Sequence, residues 1–259
     1  MAPFDHDYYR KLMRSEWVGR EVRYFEETGS TMDEARAGAD AAGAASNGIA
    51  YVAGRQAAGR GRQGRQWVSE PGAGLYVTYH LTPTVADGSS LFAVAGAMAV
   101  VDAVREVAHL DTVLKWPNDV LHVGRKLAGI LAEARHGRRL DVFLGIGINV
   151  RTSALPPEIR DIATSIEDAG GEVPRIEELL AALSHALEPR IAEAERAPEI
   201  LLEEWKRRLV TLGQRVRLAS PDSAVHEGEA VDVSPRGDLM LRHDDGTVSE
   251  YAAGDVTTV

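Results

Sequence analysis

Apolar and polar positions along the chain repeat with two different periods, and the switches between those periods divide it into elements. A short amphipathic helix is predicted over 7–17 and a strand at Val22–Phe25. Thr31 with Glu34 three residues later fits a capping box, and the Ala-rich run up to Ala42 has the propensity to continue that helix. Residues 49–54 form a short apolar run suited to a buried strand. Leu75, Val77 and Tyr79 alternate with Tyr76, Thr78 and His80, the period of a strand, and 91–107 is the longest and best-patterned helix. Apolar runs at 113–114, 130–131 and 142–150 are punctuated by Pro117, Gly124, Gly129, Gly145 and Gly147, as sheet strands with tight connections are. Helical spacing returns over 176–187 and 191–209.

After Gly213 the character changes to short apolar stretches at 216–218, 229–233, Leu239–Arg242 and Val248–Tyr251, separated by the turn dipeptides Arg236-Gly237 and Asp245-Gly246. This run of about 47 residues suits a small β-barrel appended to a larger α+β domain. The expected division is 1–211 and 212–259. No repeat or low-complexity linker interrupts the chain.

At 259 residues there is enough chain for a sizeable core. The net charge of −10 argues against a general nucleic-acid binder, which needs a surplus of Lys and Arg over a broad surface. Basic chemistry must therefore be local. The Ala/Val-rich segment 91–107 is interrupted by Asp102, Arg105 and Glu106, so it does not suit a bilayer. The first residues are acidic and aromatic rather than basic and then apolar, so a cytoplasmic protein is expected. With no cysteine in the sequence, disulfides, thiolate metal sites and a cysteine acyl-enzyme are all excluded.

The basic chemistry concentrates in residues 55–67, where Arg55, Arg60, Arg62 and Arg65 fall within eleven positions among Gly59, Gly61 and Gly64, and Trp67 closes the segment. Glycines let the backbone curl with its N–H groups exposed, and guanidinium forks suit phosphate or carboxylate. A polyanionic ligand is implied, with a merely solvated basic loop as the plain alternative. Gly59, Gly61 and Gly64 also fit G-x-G-x-x-G. That dinucleotide fingerprint must open a helix, however, and this one runs into Val68-Ser69-Glu70-Pro71-Gly72, which cannot be helical. No Gly-Lys-Ser/Thr follows either, which removes a Walker A loop.

Two further segments carry candidate chemistry. In Lys115-Trp116-Pro117-Asn118-Asp119 an amide and a carboxylate follow a proline-fixed turn, and Lys126 then heads the apolar Leu127-Ala128-Gly129-Ile130-Leu131. A lysine there is functional or simply a solvated edge residue. Gly145-Ile146-Gly147-Ile148-Asn149 places small residues on one strand face, which means close packing or room for a flat ligand.

Together these segments resemble the biotin–protein ligase family in kind, order and spacing, and Thr28-Gly29-Ser30-Thr31 falls where that family places its first biotin contacts. The resemblance runs from about residue 22 to the C-terminus. It implies a mixed-sheet catalytic domain of the biotin/lipoate ligase type with a small SH3-like β-barrel behind it. It also implies ATP-dependent formation of biotinyl-5′-AMP and transfer of biotin to a lysine of a carrier protein. By that resemblance Ser30, Thr31 and Gln56 bond the ureido ring, and the backbone at Gly59 and Arg60 meets the biotin carboxylate. Gly129, Leu131, Gly145 and Gly147 line the pocket. Trp67 stacks on adenine, with Asn118 and Asn149 reading its edge, while Arg60, Arg62, Arg65, Lys115 and Lys126 surround the phosphates and the mixed anhydride. Lys126, Arg60 and Arg62 are the catalytic candidates, and Asp119 is the candidate helper for Mg²⁺. The implied partners are biotin, ATP and the carrier domain of a biotin-dependent carboxylase, with neither nucleic acid nor membrane, and the chain acting as a monomer or weak homodimer. One position departs from the pattern: Met32 stands where the family has an Asn.

Two alternatives stay open at the level of sequence. Lipoate ligases and octanoyl transferases share the domain; the transferases need a cysteine, and a lipoate ligase calls for a different arginine-glycine motif and a wider acyl tunnel. A bifunctional ligase and repressor would carry a winged-helix domain in front, and the roughly 20 residues before the first ligase-like strand are too few for one.

Overall fold

The computed structural model describes residues 4–84 and 89–259. Helix α1 (His6–Leu12) is capped by Asp5, whose carboxylate accepts the Tyr8 N–H. It stops short of the expected 17 because Glu188 accepts the backbone N–H groups of Glu16, Trp17 and Val18 at 2.9–3.0 Å, giving those donors partners outside any helix. Strand β1 (Val22–Phe25) lies where expected, and α2 spans Thr31–Ala42. Its cap is Ser30 rather than Thr31: the Ser30 hydroxyl accepts from the Met32 N–H, and Glu34 instead bonds the Thr28 hydroxyl at 2.5 Å. The cap is thus shifted one residue toward the N-terminus, and Thr31 is left free to face inward.

The strands β2 (Ala50–Ala53) and β3 (Gly74–Leu81), helix α3 (Ser89–Ala108), and strands β4 (Val113–Lys115), β5 (Asp119–His122), β6 (Arg125–His136) and β7 (Leu140–Asn149) complete a seven-stranded mixed sheet of order β1-β2-β3-β7-β6-β5-β4. β1 pairs parallel to β2 and all other pairs are antiparallel. Strand alternation sorts the side chains of β7 onto two faces. Val142, Leu144, Ile146 and Ile148 enter the main core, whereas Phe143 joins the smaller cluster under α2 with Met32, Ala35, Ala39 and Tyr51. Gly145, Gly147 and Asn149 share the Phe143 face. Helix α2 covers only part of that face, and the glycines beyond it are left as a floor.

Helix α4 (Ile176–Arg196) runs unbroken through Pro189, and the interruption expected between 187 and 191 falls instead at Ala197, where Pro198 opens α5 (Pro198–Arg208). Pro189 is exposed, so the carbonyl it fails to bond faces solvent, whereas Pro at a first helical position costs no bond at all. Arg190 binds Asp102 of α3 and Glu204 of α5, holding the three helices together.

Strands β8 (Arg215–Ala219), β9 (Val225–Val233), β10 (Leu239–Arg242), β11 (Val248–Tyr251) and β12 (Asp255–Thr258) form an antiparallel sheet of order β11-β10-β9-β8-β12. Sequence spacing missed β12, in which only Val256 is buried. Val216, Leu218, Ala230, Leu239 and Leu241 belong to the same hydrophobic cluster as the large sheet. The Trp116 indole N–H donates to the Gly237 carbonyl at 3.0 Å, so the two sheets are joined beside the β4–β5 turn.

Candidate active site

A cavity of about 660 Å³ opens beside the glycine floor, between the arginine-glycine segment, the β4–β5 turn, the start of β6 and strand β12. Every residue given a site role from the sequence lines it except Gly59, and of the flanking motif positions Thr28, Gly29, Arg55 and Gly64 lie outside the lining. Arg55 turns outward to Glu27. Gly59 has a structural task, since a Cβ there would stand 2.4 Å from the Trp67 carbonyl oxygen. Only glycine lets the two arms of the segment meet.

Those arms make the segment a hairpin-like loop. Trp67 N–H donates to the Gly59 carbonyl and Gly61 N–H to that of Arg65, with Gln63 and Gly64 at positive φ in the tip. Ala57 and Ala58 donate to the carbonyls of Thr28 and Gly29, which ties the entry arm to the start of α2. The cations that result point to one cavity. Arg60 binds Asp33 through two bonds of 3.0 and 2.6 Å, and Arg65 reaches Asp255 of β12 at 2.5 Å. Arg62 is half-buried, and among the described residues its guanidinium makes only a 3.5 Å contact, to Asn118. Burial lowers its guanidinium from the ordinary value, with Asp255 and Asp119 acting the other way and Arg65 adding to the lowering. A desolvated cation of this kind favours an incoming anion.

Lys126 places its amine 2.5 Å from Asp119 Oδ1 and 5.5 Å from the centre of the Trp67 ring. Asp119 Oδ1 is buried and has no other partner among the described residues. Lys115 lines the same end. Among the described residues there is no group of three His, Cys, Asp or Glu side chains able to hold a metal ion. The amides of Asn118 and Asn149 are partly committed, donating to the carbonyls of Ile130 and Thr164, while the Asn118 oxygen also accepts the long contact from Arg62.

The other end of the cavity is a hydroxyl and amide cluster. Gln56 Oε1 accepts from both the backbone N–H and the hydroxyl of Thr31, at 2.9 and 3.1 Å, and Gln56 Nε2 donates to Ser69. The Thr31 hydroxyl also lies 2.9 Å from that of Thr78 on β3. Thr78 was legible in the sequence only as an alternate position of a strand. Met32 presents its methyl group to Gly145, and a Cβ at Gly145 would be 3.0 Å from it.

Trp67 lies on the floor itself. A Cβ on Gly147 would come within 2.4 Å of the indole, and one on Gly129 within 2.8 Å. The indole N–H is buried and has no partner among the described residues. The sequence also gave no sign of the wall formed by Ala154, Ile159, Ile162 and Ala163, an aperiodic stretch held to Lys126 through its backbone N–H and carbonyl. Asp255, Val256 and Thr257 of β12 complete the lining.

Residues 24–149 match the family model of the biotin/lipoate A/B protein ligase family, and residues 211–257 that of the biotin protein ligase C terminal domain. The biotin–[acetyl-CoA-carboxylase] ligase of Mycobacterium tuberculosis is 36% identical over 256 residues, covering 95% of this chain and 94% of that protein. The bifunctional ligase/repressor BirA of Bacillus subtilis is 31% identical over 250 residues, covering 93% of this chain and 75% of that protein. Among solved structures, the biotin protein ligase from Aquifex aeolicus in complex with biotin and ATP superposes with a TM-score of 0.78 at 27% identity, over 92% of this chain and 98% of that one. The Leishmania major enzyme in complex with biotinyl-5-AMP gives 0.61 at 30% identity, over 90% and 99%.

Proposed function

Because the chain belongs to the biotin/lipoate A/B protein ligase family, we propose that its cavity is where ATP activates biotin as biotinyl-5′-AMP and where biotin is then passed to a lysine of a biotin carboxyl carrier domain. The activity is that of an AMP-forming biotin–protein ligase, and the relatives and neighbours favour neither lipoate ligation nor repression as its main task. The observation that carries the residue assignment is the convergence of Arg60, Arg62, Lys115 and Lys126 on one cavity whose far end is lined by hydroxyls.

The chemistry of each half of the cavity suits one half of the product. A ureido ring offers a carbonyl acceptor and two N–H donors, and Ser30, Thr31, Gln56 and Thr78 can answer both. Gly145 and Leu131 line the way from there toward the cations, and the Trp67 ring lying on Gly147 and Gly129 continues that apolar wall. When the biotin carboxylate attacks the α-phosphate and pyrophosphate leaves, negative charge builds on the phosphoryl oxygens. Lys126 and Arg62 are in position to stabilise it, with Arg60 and Arg65 released from Asp33 and Asp255 toward the anion. Trp67, with Asn118 and Asn149 nearby, is assigned to the adenine. In the second step the carrier amine attacks the acyl carbon, the acyl–phosphate bond breaks and AMP departs. The hairpin loop keeps water from the mixed anhydride until then.

Mg²⁺ would be held through Asp119, whose Oδ1 has Lys126 as its one partner among the described residues, because this ion commonly takes one or two carboxylates and draws its other ligands from phosphates and water. Bound there, it would neutralise charge on the phosphates of ATP. The reading includes a catalytic unit of 1–211 and a barrel unit of 212–259, the latter reaching the nucleotide end through β12. It also includes action in the cytoplasm, where ATP and the carrier meet, as a monomer or weak homodimer without nucleic acid or membrane.

Lys126→Ala tests the assignment. Loss of one preorganised donor to a developing anion costs roughly 10²–10³ in rate, so biotin-dependent pyrophosphate release should fall by about that factor while the circular dichroism spectrum is unchanged. Near-normal release by the folded variant would remove Lys126 from its role.

A further inference from the structure

The two-residue turn that joins β5 to β6 consists of Val123 and Gly124, with φ of +46° and +75°. Positive φ at both central positions is the type I′ pattern, which Asn-Gly, Asp-Gly or Gly-Gly fill readily and which a β-branched residue enters only with strain. Val123 is moreover 81% exposed, the highest value for a large hydrophobic residue among those described. Within this chain its side chain contributes neither packing nor turn stability. Ile162, at 69%, is the next most exposed, and its carbonyl accepts the Lys126 N–H at 2.9 Å, which brings it to the same end of β6. Gly124 and Ile162 are also part of the cavity wall, so this apolar rim is continuous with the interior.

The charge around that rim opposes the charge of the molecule. The chain carries −10 overall. At this end of the cavity the ion pairs are Lys126 with Asp119 and Arg65 with Asp255, which leaves Arg62, Lys115 and Arg125 without one among the described residues, and the single phosphate of the adenylate offsets only one of these three charges. They outnumber Asp161, the exposed carboxylate that shares the wall.

We propose that the Val123–Gly124 turn and Ile162 are the seat on which the acceptor carrier domain docks, receiving an acidic surface with a small apolar spot beside the lysine to be modified. This rests on the ligase reading, which requires an acceptor amine to reach the cavity from outside. A turn whose first residue is both strained and exposed is accounted for by a partner that covers it, and the cations beside it favour an acidic partner over a two-fold contact between copies of this chain, which would set the cationic rim against itself. The apolar pair supplies the desolvated contact and the cations the orientation.

The test uses Val123→Asn in the full chain, because Asn suits the type I′ turn and keeps the fold. The melting temperature should stay level or rise, and biotin- and ATP-dependent pyrophosphate exchange should be unchanged. With a recombinant apo biotin carboxyl carrier domain as acceptor, KM should rise about tenfold with kcat retained. An unchanged carrier KM beside intact pyrophosphate exchange overturns the proposal, and so does a change confined to the sedimentation behaviour of the chain. Absence of biotin-dependent exchange in the wild-type protein would instead defeat the ligase reading itself.

Discussion

A methyl group at position 147 would stand 2.4 Å from the Trp67 ring, whereas one at Gly137 meets nothing nearer than 3.9 Å. This contrast isolates what the glycine floor does. Gly147→Ala must lift the indole from its seat and push it into the cavity, and overpacking of this kind costs roughly 1–3 kcal/mol, or about tenfold or more in an affinity. Calorimetric titration with biotin should show that weakening for Gly147→Ala and none for Gly137→Ala; equal affinities would mean that the floor is not where the ligand lies. Small residues on one face of the 145–149 strand were visible in the sequence, but their use was not, because packing and ligand space leave the same pattern. The structure shows Trp67 resting on them, a contact between residues far apart in sequence that no spacing encodes. The same limit applied to Thr78, whose hydroxyl matters only because α2 brings Thr31 to it. Met32 was legible as a departure from the family pattern, and its burial against Gly145 puts one apolar methyl group beside the hydroxyl-lined end of the cavity.

At the scale of elements, regular strands and helices followed from periodicity, and the misplacements have local causes. The α2 cap moved by one residue because Ser30, not Thr31, adopts the extended backbone that presents a hydroxyl to the first turn. β12 went unseen because one buried valine gives no alternation to detect, yet it brings Asp255 to Arg65. Helix α2 is positioned at both ends, by Ser30 at the cavity and by a buried cluster beyond its last turn. There the His80 ring joins Ser46 at 2.7 Å to Asp141 at 3.1 Å, and Arg135 and Arg139 close on the same carboxylate. Burial alone would raise the Asp141 carboxyl, but its bonds to Arg135, His80 and Arg139 outweigh that and hold it below the ordinary value. A carboxyl lowered in the folded state adds stability above its unfolded value of about 4, and that stability is lost as the pH falls below it. Asp141→Asn should therefore melt lower than wild type at pH 7, with the gap closing as the pH falls below about 4. A gap that stays constant across that range would show that the carboxylate charge does not anchor α2.

Across the whole molecule, the two sheets share one hydrophobic core, and the cavity sits where a partly covered sheet face, the arginine-glycine hairpin and β12 meet. Composition indicated that positive charge had to be local in a chain of net −10, and the motif order indicated where. What composition could not give is the pairing of that charge: Arg60, Arg65 and Lys126 each face a carboxylate, which under the proposed reading an anionic ligand would displace. A cavity with a hydrogen-bonding end, a flat apolar path and a cationic end accounts for selection of a ureido-bearing acid over a plain acyl chain. The most direct check is the intact mass of an apo biotin carboxyl carrier domain after incubation with the chain, ATP, Mg²⁺ and either biotin or lipoate. The expected result is a gain of one biotinyl group with biotin, none with lipoate, and none when ATP is omitted. A gain with lipoate alone, or no gain with biotin from a folded protein, would contradict the account.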